Sequence, residues 1–179
     1  MARIQPIQQN ELSPSVAVAF ERHTDNYSGI FTNMKGTLGH SLQSFELYMQ
    51  WYPMYEAVEK ILGRRLAYLF GYSISCASAC TLCTAFFRKK IMDAGEDPQN
   101  LLLSPSQRNV MDFGSSIARH HGHIADHIYN EIAKSYETRD IVTLVAFAGQ
   151  MIAANVFNNV VETEVDDHLL SYVPPVKYC

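Results

Sequence analysis

One stretch of the chain decides the fold class: residues 141–160 read IVTLVAFAGQMIAANVFNNV. Apolar residues recur there at steps of three and four positions, which is the spacing of one face of an α-helix. We predict a long helix whose apolar stripe comprises Ile141, Leu144, Val145, Ala148, Ile152, Val156 and Val160. The remainder of the chain shows no alternating strand pattern and no repeat. The sequence therefore predicts an all-α protein.

Helix signals continue on the N-terminal side of this stretch. Ser104-Pro105-Ser106-Gln107 has the form of a capping box with proline in the first turn. Residues 41–52 carry an amphipathic pattern that Pro53 divides or kinks, and Gly63 ends the helix that follows. Another helix begins at Arg64, and we expect an interruption around Gly71. We predict seven or eight helices in one bundle that forms a single domain over residues 1–179.

The composition excludes several classes of protein. Hydrophobic residues make up 47% of the chain, charged residues make up 18%, and the net charge is −4. This is a globular composition with no basic stripe, so we expect no nucleic-acid partner. No apolar run approaches the roughly 18–20 residues that span a bilayer, and no secretory h-region follows Met1. We therefore expect no membrane association and a cytoplasmic location.

The cysteines form the strongest chemical feature. Cys76, Cys80 and Cys83 lie within eight residues, and Cys179 is an expected exposed thiol at the end of the sequence. A C-x-x-C at the start of a helix brings two sulfurs together where backbone N–H groups favour a thiolate. The alternatives are a buried core pair and structural zinc, although zinc lacks an obvious fourth ligand here. We expect no metal and no cofactor.

Two segments carry a resemblance to a known family. Residues 39–95 contain Arg64-Arg65-Leu66-Ala67 ahead of a helix that begins at Cys80-Thr81-Leu82-Cys83 and ends at Gly95. Residues 141–167 contain Ala154-Asn155-Val156-Phe157-Asn158-Asn159, then Glu162 and Asp166. In this order they resemble the alkylhydroperoxidase D (AhpD)-like group of the carboxymuconolactone decarboxylase family. The resemblance covers roughly residues 30–170.

The resemblance implies an AhpD-like helical bundle and a thiol-dependent antioxidant enzyme. It implies that Cys83 attacks a small hydroperoxide and becomes a sulfenic acid, and that Cys80 resolves it as a disulfide. A thiol or dithiol partner would then reduce the pair. Members of the family are usually homo-oligomers, so the same assembly is expected here.

The chain departs from the family motif at its proton relay. Where the family has a Glu twelve residues before the first cysteine, a His between the cysteines and a His four residues after the second, this sequence has Tyr68, Leu82 and Phe87. Tyr68 could donate a hydrogen bond to a thiolate, but an ordinary tyrosine is a poor base. We therefore consider His120 and His123 as replacement bases. Cys76 could support the pair by disulfide exchange, but burial as a core cysteine is the favoured interpretation.

Three further groups have competing interpretations. On an unbroken helix, His123, His127 and Glu131 would share a face and could chelate a metal, but a turn at Gly122 is favoured. Buried polar contacts are preferred over catalysis for Asn155 and Asn158. An aromatic cluster is interpreted as core or subunit interface; it comprises Phe45, Tyr48, Trp51, Tyr52 and Tyr55.

Three functions remain open at this point. The first is peroxide reduction or thiol–disulfide exchange through Cys80 and Cys83. The second is a lyase of the carboxymuconolactone decarboxylase kind, although that branch generally lacks the dithiol. The third is a non-catalytic oligomeric scaffold or redox sensor, which the missing relay residues favour.

Overall fold

The fold is described by a computed structural model that covers residues 1–27 and 29–175. Over these residues the chain is all-α, as predicted, with no strand and with two short 3-10 helices, Gln9–Glu11 and Asp167–Tyr172. Nine α-helices are present in this part of the chain, slightly more than the seven or eight predicted. They are α1 (Pro14–Tyr27), α2 (Asn33–Leu38), α3 (Leu42–Met49), α4 (Trp51–Leu62), α5 (Arg64–Ala77), α6 (Thr81–Asp93), α7 (Pro105–Arg119), α8 (Asp126–Ala133) and α9 (Thr138–Val161).

The predicted helix boundaries are formed by local capping. The Ser104 side chain accepts from the backbone N–H of Gln107, whose own side chain accepts from the N–H of Ser104, and Pro105 is the first residue of α7. This is the capping box expected from the sequence. Gly63 separates α4 from α5 with a φ of +76°, a conformation that glycine adopts at little cost.

The division between α3 and α4 comes earlier than Pro53. A single residue, Gln50, separates the two helices, and Pro53 is the third residue of α4. Proline is tolerated there because the first N–H groups of a helix have no partner within it. The proline therefore begins a helix rather than kinking one.

The interruption predicted at Gly71 is wrong, since α5 runs continuously from Arg64 to Ala77. The glycine serves packing instead. A Cβ atom at residue 71 would lie less than 3 Å from three carbon atoms of the Phe87 ring. Helix α5 can therefore approach α6 closely at this point.

The core surrounds α5, which packs against α4, α6, α7 and α9. Buried phenylalanines from four helices meet there: Phe70, Phe87, Phe113 and Phe147. A smaller cluster joins α1 to α3 through Phe20 and Phe45. The two clusters leave room between α2, α4 and α6, and this space is the cavity described below.

The predicted stripe on α9 is only partly correct. Ile141, Leu144 and Ala148 are buried, whereas Val145, Val156 and Val160 are exposed. Four-residue steps advance about 400° around a helix, so a stripe built from them drifts away from the core over 24 residues. The buried positions in the second half of α9 are Met151, Ala154, Asn155, Asn158 and Val161.

Helix α9 is also, by length and composition alone, able to cross a membrane. This is more than the sequence analysis anticipated. It is weak evidence, because the central helix of a soluble domain passes the same test, and 39% of its most apolar window is buried inside the protein.

Candidate functional site

The dithiol occupies the start of α6. Ala79 adopts a φ of +50° and turns the chain from α5 into α6. This turn leaves Cys80 as the N-cap, with its Sγ atom accepting from the backbone N–H of Cys83 at 3.4 Å. Both cysteines are free and buried, and their sulfur atoms are 2.8 Å apart. A small rotation of either side chain would bring them to disulfide distance.

The two thiols differ in acidity. In the neutral pair either sulfur can donate to the other, but the surroundings favour Cys80 as the anion. The Cys83 side chain and the backbone N–H groups of Leu82 and Cys83 lower the pKa of Cys80, against the opposing effect of burial. The hydrogen bond with Cys80, burial and the negative charge that Cys80 carries raise the pKa of Cys83. When the pair loses one proton, the remaining proton stays on Cys83.

Asn158 on α9 contacts the pair directly. Its Nδ2 atom donates to Cys83 Sγ at 3.3 Å and lies 3.4 Å from Met34 Sδ. The neighbouring Asn155 is fully buried, and neither of its amide atoms has a hydrogen-bond partner. Asn158 thus makes the buried polar contacts expected from the sequence, whereas Asn155 makes none among the described residues. The sequence interpretation did not anticipate that one of these contacts is with Cys83. The signal available was an amide side chain on the same helical segment that carries the family resemblance.

A cavity of about 380 Å³ opens beside Cys83. Cys83 contributes to its wall, whereas Cys80 lies behind it. The wall is largely apolar and aromatic, and its rings are Tyr48, Trp51, Tyr52, Tyr55, Phe86 and Phe87. Four members of the aromatic cluster that we interpreted as core or interface therefore line the candidate site, whereas the fifth, Phe45, is buried in the smaller core cluster as expected. A second depression, of about 420 Å³ between α1, α3 and α4, contains no cysteine.

The positions of the missing relay contain no base. Leu82 and Phe87 are buried side chains on the cavity wall, and neither accepts a proton. Among the hydrogen bonds of the described residues, the groups in contact with Cys83 Sγ are Cys80 Sγ and Asn158 Nδ2. Since an amide nitrogen does not act as a base, Cys80 is the proton acceptor next to Cys83.

The Tyr68 hydroxyl is hydrogen-bonded to a carboxylate and not to a cysteine thiolate. Its hydroxyl donates to Glu96 Oε1 at 2.9 Å, and Arg65 Nε donates to the same carboxylate at 2.9 Å. Burial and this carboxylate raise the pKa of Tyr68 to about 12. The hydroxyl proton is thus held by a strong acceptor, so the expectation that Tyr68 donates to a thiolate is wrong.

The histidine-rich stretch forms the exposed turn between α7 and α8. His120 caps α7, and Gly122 turns the chain with a φ of +86°, as the favoured interpretation expected. His120 and His123 do not contribute to the cavity wall, and no hydrogen bond joins them to a sulfur in the described part of the chain. Helix α8 begins only at Asp126, so the metal alternative, which needs an unbroken helix, is wrong.

Cys76 is half-buried at the end of α5, where it packs against the main core. Its auxiliary role stays a prediction. Cys179 lies outside the described residues. Within those residues, no three His, Cys, Asp or Glu side chains gather as a metal site.

Comparisons with known proteins establish the fold. No protein-family profile matches the chain, and no curated protein matches it significantly. Two solved structures of the debrominase Bmp8 are similar. The apo form is 15% identical with a TM-score of 0.74, covering 94% of this chain and 95% of Bmp8. A cysteine-to-alanine variant in complex with 2,3,4-tribromopyrrole is 16% identical with a TM-score of 0.76, covering 94% of each chain.

Peroxidase-related proteins are similar as well. An uncharacterised one from Silicibacter sp. TM1040 is 15% identical with a TM-score of 0.66 and 88% coverage of both chains. Another, described as an alkylhydroperoxidase AhpD core from Ralstonia eutropha JMP134, is 13% identical with a TM-score of 0.67, covering 97% of this chain and 98% of that one. The chain therefore has an AhpD-like fold, as the resemblance implied.

Proposed function

We propose that this chain is a dithiol oxidoreductase that reduces a small organic hydroperoxide through Cys83 and Cys80. The observation that carries the proposal is the placement of Cys83 on the wall of an apolar cavity with Cys80 Sγ 2.8 Å behind it. One thiol meets the substrate while the other waits within disulfide reach. The solved structures of similar fold are peroxidase-related proteins and a debrominase, which supports enzymatic activity in general.

Proton transfer within the cysteine pair replaces the proton transfer that the family's relay would have carried out. The Cys83 proton passes to the Cys80 thiolate, which leaves a Cys83 thiolate facing the cavity. That thiolate attacks the terminal oxygen of ROOH, the O–O bond breaks, and Cys83 becomes a sulfenic acid. The departing RO⁻ takes the proton from Cys80 and leaves as ROH.

The second half of the cycle forms the disulfide. The Cys80 thiolate attacks the sulfenic sulfur of Cys83, and hydroxide leaves as water with a proton from solvent. Two thiols and one ROOH thus give one disulfide, ROH and water. A thiol or dithiol reductant restores the pair, and a reducing compartment such as the cytoplasm would supply it. A homo-oligomeric assembly remains part of this proposal.

The test is turnover of cumene hydroperoxide with dithiothreitol as reductant. We expect steady consumption by the wild type and loss in Cys83→Ser. Consumption should be much slower in Cys80→Ser, which lacks the thiolate that accepts the Cys83 proton and in which dithiothreitol must reduce the sulfenic acid directly. Thr81→Ala is a matched control, because Thr81 is exposed in the same motif and should leave turnover unchanged. Disulfide formation without turnover would favour the redox sensor, and peroxide-inert thiols would reject both.

Reductive dehalogenation of a small aromatic ring is a second candidate, favoured by the cavity wall. Trp51 and Tyr55 are stacked there with ring centroids 4.7 Å apart, and a planar ring can pack against such faces. In this reaction a thiolate takes the halogen from carbon, and the ring carbon takes a proton. The second thiolate then displaces halide and forms the disulfide. Release of bromide from a bromopyrrole, in place of peroxide consumption, would favour this candidate.

A further inference from the structure

The cavity contains a buried ammonium group without a counter-ion. Lys35 on α2 is only 4% exposed, and its Nζ atom donates a single hydrogen bond, to the Ile30 carbonyl oxygen at 2.7 Å. Its other neighbours are the ring faces of Phe20 and Tyr52, with centroids 5.9 and 5.3 Å away. Across the described residues, none of the ion pairs within 4 Å involves Lys35. Two of its N–H bonds therefore lack an acceptor among the residues that the structure describes.

The charge of Asp166 raises the pKa of Lys35 but offsets the effect of burial only in part. Asp166 lies on the same cavity wall, but its Oδ1 atom accepts from the backbone N–H of Asn33 at 2.8 Å, and it forms no ion pair with Lys35. A second cavity lysine, Lys90, also lacks an ion pair in this part of the chain and lies over the rings of Tyr55 and Phe86. The wall thus holds two lysines against one aspartate. Burial of unpaired charge is costly, so an anion would be stabilised there.

Three polar atoms converge beside Gly29. A Cβ atom built on this glycine would lie 2.6 Å from Lys35 Nζ, 3.1 Å from His23 Nε2 and 3.7 Å from the Tyr52 hydroxyl. His23 is buried, and its Nε2 atom has no hydrogen-bond partner. Burial and the Lys35 charge lower the pKa of His23 to about 4, so the ring is neutral at pH 7 and can either donate or accept. The three groups pack closely against this glycine, so a methyl group there would displace the Lys35 ammonium.

Gly29, Lys35 and Tyr52 belong to the same cavity wall as Cys83. His23 lines the neighbouring depression between α1, α3 and α4. We infer that the cavity binds a small hydrophobic carboxylate, with its acid group at Lys35 and Tyr52 and its apolar part along the aromatic wall towards Cys83. This deepens the proposed function by assigning its substrate class. The polar cluster fixes the orientation of the ligand, and the rings contribute the apolar contact.

The test uses Trp51, the only tryptophan of the chain, which lies on the cavity wall. Its fluorescence is followed as phenylacetate or its neutral analogue phenylacetamide is titrated into the reduced protein at pH 7. We expect saturable binding with at least a tenfold preference for the acid. Lys35→Met should remove that preference while amide binding remains. Lys60→Met, an exposed lysine on α4, should retain it.

A second variant keeps the Lys35 charge and adds a methyl group at residue 29. Gly29→Ala places a methyl group among the three polar atoms and should reduce acid binding at least fivefold. Equal binding of acid and amide by the wild type would overturn the inference. So would preference retained in Lys35→Met, or no saturable binding of either probe. The binding titration contains no peroxide, so the two proposals can fail separately. Preference for the carboxylate without turnover of cumene hydroperoxide would reject only the proposed function. Turnover of the hydroperoxide without that preference would reject only this inference.

Discussion

Replacement of Lys35 by methionine should stabilise the protein. Burial lowers the pKa of Lys35 from 10.5 to about 8, and the Asp166 charge offsets this only in part. At about 1.4 kcal/mol per pKa unit, the charged form costs about 3 kcal/mol in the folded state. The lost hydrogen bond to Ile30 and the two ring contacts recover about 1–2 kcal/mol of this. We expect a net gain of about 1–2 kcal/mol in the free energy of unfolding.

Thermal and urea unfolding measure this gain, which corresponds to a rise in Tm of about 3–6 °C for a chain of this size. The pH dependence supplies an independent check. Between pH 8 and 10.5 the unfolded chain holds a proton on Lys35 that the folded chain has released, so wild-type stability should rise with pH through this window. This rise in the free energy of unfolding with pH should be absent from Lys35→Met. Measurements from pH 7.5 to 9.5 avoid ionisation of the tyrosines.

Lys60→Met is the matched control, because Lys60 is exposed, and its stability should change by less than about 0.5 kcal/mol. If Lys35→Met is instead destabilised by 2 kcal/mol or more, the ammonium holds α2 in place. The reasoning that it is an unpaired charge kept for a ligand would then be refuted. Loss of the pH increment in Lys60→Met would refute the assignment to Lys35.

Three further predictions concern the dithiol and the helix packing. Asn158→Ala removes a hydrogen bond that lowers the pKa of Cys80. Alkylation of the pair at pH 7, followed by peptide mass spectrometry, should therefore slow by about tenfold. An unchanged alkylation rate would contradict this. Gly71→Ala forces a methyl group into the Phe87 ring and should destabilise the protein by about 1–3 kcal/mol or more in urea unfolding. Gly149→Ala, in open space on α9, should stabilise it by about 0.5–1 kcal/mol; the same sign for both glycines would refute the packing argument.

The parts of the fold that the sequence predicted are those with local causes. The capping box at Ser104, the glycine at residue 63 and the amphipathic segments each act within one or two turns, so their effect is visible in the letters themselves. The AhpD-like fold was implied by the resemblance of residues 39–95 and 141–167 to that family. The dithiol was found for the same reason, since its two residues are three positions apart.

The errors concern contacts between distant segments. Gly71 resembles an interruption until Phe87, sixteen positions later in the chain, is seen to pack on it. Likewise, the Tyr68 hydroxyl donates a hydrogen bond to Glu96, and Asn158 donates one to Cys83 from a position 75 residues later in the chain. The aromatic residues of α4 look like ordinary core because apolar residues on a helix face suggest burial whether they face a core or a cavity. Lys35 carried no sequence signal, since its lack of a counter-ion is visible only in three dimensions.

The most direct test of the account is oxidation of the reduced protein by one equivalent of cumene hydroperoxide, with the products located by peptide mass spectrometry. The account predicts a Cys80–Cys83 disulfide in the wild type. In Cys80→Ser, a sulfenic acid should form on Cys83 and be trapped by dimedone, and in Cys83→Ser the peroxide should survive. Peroxide consumption in Cys83→Ser at the wild-type rate, or a wild-type protein left unoxidised, would contradict the claim that Cys83 meets the substrate with Cys80 behind it.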